Sequence, residues 1–179
     1  MGLFVKIRSF FSKRKQAASP EPAPAEVSPA TEPAVVDRRR NKRRDARRGT
    51  RVLIIDDSTT VIAVLKRFLT SVGYVTYEAL DAERGLELAR AHRPELIFLD
   101  IILPGMDGFA ALRHIRRDPL IGSTPVIMIS GNEQAAEQFY ANRIGADDFM
   151  KKPFKRPDVF TKIEPLLDEQ CIPRHIKRH

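Results

Sequence analysis

Downstream of position 50, apolar and polar residues fall into a repeating strand–helix pattern. Apolar runs at 51–55, 74–78, 95–99, 125–129 and 148–150 predict five strands. The first, third and fourth are apolar throughout rather than alternating, as in parallel strands covered on both faces. Segments 59–71, 82–91, 109–117, 134–144 and 156–167 read as the intervening helices. In the first of these Val61, Val64, Leu65, Phe68 and Leu69 recur at helical spacing. Ser58, Asp81 and Asn132 stand where helices need N-caps, and Gly73 and Gly145 where they stop. Strands alternating with helices of this length predict an α/β fold, a doubly wound five-stranded parallel sheet with right-handed crossovers.

The first 48 residues have a different texture. Positions 1–15 include a short stretch, 3–11, whose spacing reads as a short amphipathic helix with Leu3, Phe4, Ile7, Phe10 and Phe11 on one arc. Positions 16–48 read as a disordered Ala/Pro linker running into the arginine-rich block RRRNKRRDARR. The folded domain is expected over 49–169, followed by a basic tail at 170–179.

Composition adds three constraints. A 42 % apolar content is enough to build a core. Cys171 is the only cysteine, so no intramolecular disulfide forms, and a reducing compartment is implied. The net charge of +8 resides wholly in residues 1–48, which hold 13 Lys/Arg against 5 Asp/Glu, whereas residues 49–179 hold 18 of each. No apolar run reaches the roughly 20 residues of a membrane span. The expected location is cytoplasmic, with peripheral attachment to the inner membrane as an option.

Candidate chemistry gathers at the carboxyl ends of the predicted strands, where folds of this class bind their ligands. Asp56 and Asp57 end the first strand, Asp100 the third and Ser130 the fourth, and Lys152 follows the fifth. A single strand-end aspartate is usually only a helix cap. Three together are not so easily explained, since carboxylates about 4 Å apart repel by roughly 4 kcal/mol at an effective dielectric near 20. Such a cluster needs a cation, a shared proton or a nearby lysine. Mg²⁺ fits, because it takes oxygen ligands and keeps several waters. Zinc does not, with one cysteine and with His175 and His179 in a polar tail. In this reading Asp100 attacks a phosphoryl donor, and Lys152 and the Ser130 hydroxyl hold the phosphoryl oxygens. Pro153 fixes the backbone that aims Lys152, through a bond whose isomer the sequence leaves open.

The motifs VLIIDDS (52–58), LDIILPGMDG (99–108), MIS (128–130) and GADDFMKKPF (145–154) together resemble the receiver domains of response regulators, the CheY-like family. The resemblance covers about 120 residues. It implies a flavodoxin-like, CheY-like sheet and a phosphoprotein of a two-component or chemosensory phosphorelay. Metal-binding acids then fall on Asp56 and Asp57, the phosphoacceptor on Asp100, and a further metal ligand on the backbone carbonyl of Ile102. The switch pair falls on Ser130 and Phe149. Leu103, Gly131 and Phe149 depart from commoner Met, Ala and Tyr, and none removes a catalytic group. The side chains two beyond acceptor and switch, Ile102 and Asn132, flank the approach of hydrolytic water.

The resemblance also implies a partner face on the fourth helix, fifth strand and fifth helix, here including Tyr140, Lys151 and Arg156. A narrower likeness is to stand-alone regulators of pilus-type chemosensory systems, which act in twitching motility. Too few residues follow the last helix for an output domain, so the signal is expected to pass to an effector protein. The expected phosphodonor is a cognate histidine kinase or phosphotransfer protein. The alternatives are a phosphate sink for a shared kinase and a membrane- or scaffold-anchored adaptor. For residues 1–48, an anionic membrane surface and a solvated tether both stand. Nucleic acid is disfavoured, because no helix-turn-helix or zinc motif accompanies the arginines.

Overall fold

The computed structural model describes residues 44–132 and 145–176. The strands are β1 (Arg51–Ile55), β2 (Val75–Ala79), β3 (Leu96–Asp100), β4 (Val126–Ser130) and β5 (Asp148–Lys151). They form a five-stranded sheet in the order β2-β1-β3-β4-β5 with every pairing parallel. The helices are α1 (Thr59–Thr70), α2 (Ala82–His92), α3 (Gly108–Arg117) and α4 (Arg156–Ile163), with a 3₁₀ turn at Glu164–Leu166. The predicted 134–144 helix, the 3–11 helix and Tyr140 lie outside the described residues.

Each strand feeds two cores, because successive side chains point to opposite faces. Leu53, Ile55, Ile97, Leu99, Val126, Met128 and Phe149 pack with α2 and α3. Val52, Ile54, Leu96, Phe98, Ile127, Ile129 and Met150 pack with α1 and α4. Burial on both faces is why the strands read as unbroken apolar runs, each large side chain contributing about 1.5–3 kcal/mol. Gly85 lets α2 approach the sheet, since a Cβ there would stand 2.4 Å from Ile55 Cδ1.

The helix boundaries follow from local chemistry. Ser58 and Asp81 cap α1 and α2 by accepting from Val61 N–H and Arg84 N–H. No glycine closes α2; Arg93 takes the left-handed conformation (φ 46°) because Pro94 behind it bars another helical turn. The predicted 156–167 helix is shorter than expected. Pro165 has no N–H to give to Thr161, so α4 stops at Ile163 and tightens into the 3₁₀ turn.

Segments on both sides of the expected 49–169 domain pack onto it. Ala46 is buried, and its N–H donates to the Tyr74 hydroxyl at 2.8 Å. Arg47 N–H reaches the Cys171 carbonyl, Leu167 bridges Pro173, and Pro173 is buried. His175, expected in a free polar tail, instead sets its Nδ1 2.7 Å from Asp147 Oδ1.

Candidate functional site

Parallel pairing delivers three strand ends to one pole. Ile55 and Leu99 are partners in the β1–β3 register, so Asp56 and Asp100, the next residues along, emerge side by side. Carboxylate oxygens of Asp56, Asp57 and Asp100 all lie within 4.8 Å of one another. Asp56 and Asp100 are buried and Asp57 is exposed. Gly108, where α3 begins, is what lets that helix lie close to the end of β3: a Cβ there would lie 2.1 Å from the Asp100 carbonyl oxygen.

Lys152 reaches into the cluster from the end of β5. Its ammonium lies 2.8 Å from Asp100 Oδ2 and 2.7 Å from Asp56 Oδ2. The first contact is a hydrogen bond. The second is an ion pair, and the buried Asp56 Oδ2 has no further hydrogen-bond partner among the described residues. The other Asp56 oxygen accepts from Ser58 N–H at 3.0 Å, and Asp100 Oδ1 accepts from Ile102 N–H at 3.3 Å. The Lys152–Pro153 bond that sets this lysine's backbone is cis.

Charge in the cluster is finely balanced. Burial pushes the Asp100 carboxyl above its usual range and the Asp56 charge adds to this, against the opposing pull of Lys152 and the Ile102 N–H. Burial also works against the Lys152 ammonium, but the Asp100 and Asp56 carboxylates more than offset it and hold its pKa above the usual value. Three carboxylates gathered at one strand-end pole, with Asp56 Oδ2 buried and held only by the Lys152 ion pair, are a donor set suited to a hard divalent cation.

Other predicted residues take varied positions. Ser130 is buried at the end of β4, its Oγ accepting from Asn132 N–H at 3.1 Å. Phe149 is buried, paired with Met128 in the β4–β5 register and part of the same core cluster. Ile102 is 52 % exposed beside Asp100. Lys151 is exposed, and Arg156 lies 4.9 Å over the Phe160 ring with its Nη2 3.3 Å from Ser71 Oγ, tying α4 to α1.

The sequence pattern of the response regulator receiver domain matches residues 52–164. The chain belongs to this family. Protein PilH of Pseudomonas aeruginosa is 32 % identical over 117 residues, 65 % of this chain and 97 % of PilH. The DNA-binding dual master transcriptional regulator RpaA of Synechocystis sp. is 34 % identical over 117 residues, again 65 % of this chain. That stretch is 48 % of RpaA, so the chain spans about half the length of that relative. Among solved structures, a CheY-like receiver domain protein from Methanospirillum hungatei aligns with a TM-score of 0.61 and 31 % identity, covering 68 % of this chain and 96 % of that one. The receiver domain of the sensor histidine kinase PA1611 from Pseudomonas aeruginosa, solved with magnesium coordinated in its active site cleft, aligns with a TM-score of 0.57 and 28 % identity. That alignment covers 62 % of this chain and 91 % of the PA1611 domain.

As a receiver, this domain belongs to two-component or chemosensory signalling, and its chemistry is phosphorylation within the aspartate cluster rather than turnover of a substrate.

One network at the opposite pole was not anticipated. The buried Asp147 accepts from Arg116 Nη2 at 3.0 Å, Val126 N–H at 2.8 Å and Ile176 N–H at 2.6 Å, besides facing His175. Arg116 also donates to the carbonyls of Gly145, Gly122 and Thr124. The GADD motif holds Asp147, but no local pattern announces partners from α3 and the tail.

Proposed function

We propose that Asp100 is the phosphoacceptor of a phosphorelay and that its phosphorylation alters binding to an effector protein. The observation that carries this reading is the Asp100 carboxylate, buried at a strand end with the Lys152 ammonium 2.8 Å away and two further carboxylates alongside. An Asp100 oxygen attacks the phosphorus of a phosphohistidine on a cognate kinase or phosphotransfer protein. The O–P bond forms as the N–P bond breaks, and the departing imidazole takes up a proton. Lys152 then pairs with a phosphoryl oxygen, and the Ser130 hydroxyl at the neighbouring strand end donates to another. Asp56, Asp57, Asp100 and the Ile102 carbonyl would hold Mg²⁺, which when bound neutralises charge on the transferring oxygens. Incubation with a small phosphodonor and Mg²⁺ should add one phosphoryl group to the wild-type protein and none to Asp100→Asn. Labelling that survives the substitution would sink the assignment. Capture of partners by the phosphorylated and unphosphorylated forms separates effector binding from a phosphate sink, which needs no phosphorylation-dependent partner.

The +8 charge of residues 1–48 supports an additional element, association of the chain with an anionic membrane surface. Among the described residues no helix is long and apolar enough to cross a membrane.

A further inference from the structure

In a parallel sheet wound with helices, every strand starts and every helix ends at the same pole, here the one opposite the aspartate cluster. That pole is rich in arginine. Arg51 opens β1; Arg67, Arg90, Arg116 and Arg117 lie in the last turns of α1, α2 and α3; and Arg93 follows α2. Arg47 and Arg48 come from the segment entering β1, with the Arg48 side chain lying over Gly73 in the α1–β2 turn. Arg174 comes from the tail.

Several of these cations are used internally. Arg47 and Arg51 pair with Glu95, Arg90 with Asp118, Arg116 with Asp147 and Arg174 with Asp168. Arg48, Arg67, Arg93 and Arg117 are exposed and form no ion pair among the described residues. Cations near helix ends complement the backbone dipole, and that ordinary role accounts for some of them. It does not account for the apolar side chains exposed among them. Of the five large exposed apolar residues among the described ones, three are at this pole: Val75 opening β2, Leu120 in the turn after α3, and Ile176 beside Asp147.

We propose that this pole of the receiver domain docks on an anionic lipid bilayer, its arginines on headgroup phosphates and Val75, Leu120 and Ile176 at the interface. Apolar side chains between cations suit the headgroup–acyl boundary, whereas a nucleic-acid backbone offers phosphates without an apolar layer. The docking directs the aspartate cluster away from the surface, open to a phosphodonor. The inference deepens the membrane association proposed for residues 1–48 and assigns part of it to the folded domain.

The test uses the full chain and its Arg48→Glu/Arg93→Glu/Arg117→Glu variant, with sedimentation on phosphatidylcholine vesicles with and without phosphatidylglycerol. Wild type should bind only the anionic vesicles and come off as salt rises. The triple variant should bind them well over a hundredfold more weakly, since losing three basic residues at roughly 1 kcal/mol each already costs about a hundredfold and the glutamates add repulsion. A charge-neutral variant with Gln at the same three positions should show a smaller loss in the same direction. Phosphorylation by a small donor should be the same in all three proteins, which also reports that they are folded. Equal vesicle affinity of wild type and both variants would overturn the docking pole while leaving residues 1–48 as the membrane element. Failure of wild type to bind anionic vesicles would overturn both. Tighter binding of wild type to duplex DNA than to the vesicles would make the pole a nucleic-acid surface instead.

Discussion

The ammonium of Lys152 and the Oδ2 of the buried Asp100 stand 2.8 Å apart, yet the Asp100 carboxyl still binds its proton more tightly than a free aspartate. Burial and the Asp56 charge outweigh the lysine. A pKa raised on folding contributes stability below the unfolded value of aspartate and loses it as pH rises through the folded value. At neutral pH without Mg²⁺ the ionised Asp100 therefore costs the fold. Asp100→Asn should melt higher than wild type in metal-free buffer at pH 7, by about 1 kcal/mol or roughly 2–4 °C. The difference should shrink as pH falls below the ordinary aspartate range. A thermal melt series against pH checks it, and an equal or lower melting temperature for the variant at pH 7 would contradict the balance described.

Asp57 is the exposed member of the cluster, where Asp56 and Asp100 are buried. Replacing it with Ala removes a candidate ligand without opening a cavity. Asp57→Ala should weaken Mg²⁺ binding and slow phosphorylation while keeping wild-type secondary structure. Its stability in metal-free buffer should be equal to wild type or slightly higher, since a like charge is gone. Calorimetric titration with Mg²⁺ tests the role; an unchanged affinity would remove Asp57 from the metal site.

The arrangement of the sheet and the aspartate cluster was legible because both depend on local, periodic signals. Runs such as LIFL and VIMI are apolar throughout, as in parallel strands covered on both faces, and the polar residues that end them, Asp100 and Ser130, then lie at one pole. Strand limits slipped by a residue at 74–78, 95–99 and 125–129 because the pairing register, not composition, decides where a strand ends. The Asp147 network was not legible. Its donors come from Arg116, Val126 and Ile176, between 21 and 31 positions away, and sequence periodicity carries no information on such contacts. The arginine-rich pole was hidden for a related reason: residues 49–179 balance 18 positive against 18 negative groups, and only the topology shows which arginines share a pole.

Asp147 joins α3, the start of β4 and the tail through charged and backbone donors while itself buried. Asp147→Ala would leave Arg116 largely buried without its carboxylate, and two N–H groups without an acceptor. Breaking a buried pair from one side costs about 3–5 kcal/mol. Urea denaturation should show a loss in that range, against little change for a control such as Glu87→Ala, whose pairing with Arg84 is exposed. A loss below about 1 kcal/mol would mean that the tail and Arg116 are not holding the base of β5 as described.

With the phosphoryl group on Asp100, Ile102 is expected to set how long the phosphorylated state lasts. Hydrolysis needs a water in line with the phosphorus on the side opposite the Asp100 oxygen. Ile102 follows the acceptor by two positions, is held by its N–H on Asp100 Oδ1 at 3.3 Å, and exposes 52 % of its surface at the mouth of the site. A branched aliphatic side chain there excludes water and offers it no hydrogen bond. Asn132, two positions beyond Ser130, is also exposed, and its amide can orient water but cannot act as a base. The phosphorylated state should therefore persist for minutes or longer with Mg²⁺ present and no phosphatase. Ile102→Asn should shorten it several-fold, because the amide both opens the approach and binds the incoming water. Asn132→Asp should shorten it as well, by adding a carboxylate on the other flank. Loss of radiolabelled phosphate over time compares the three proteins directly. An unchanged rate in Ile102→Asn alongside a faster one in Asn132→Asp would move control of lifetime from the acceptor flank to the Ser130–Asn132 loop.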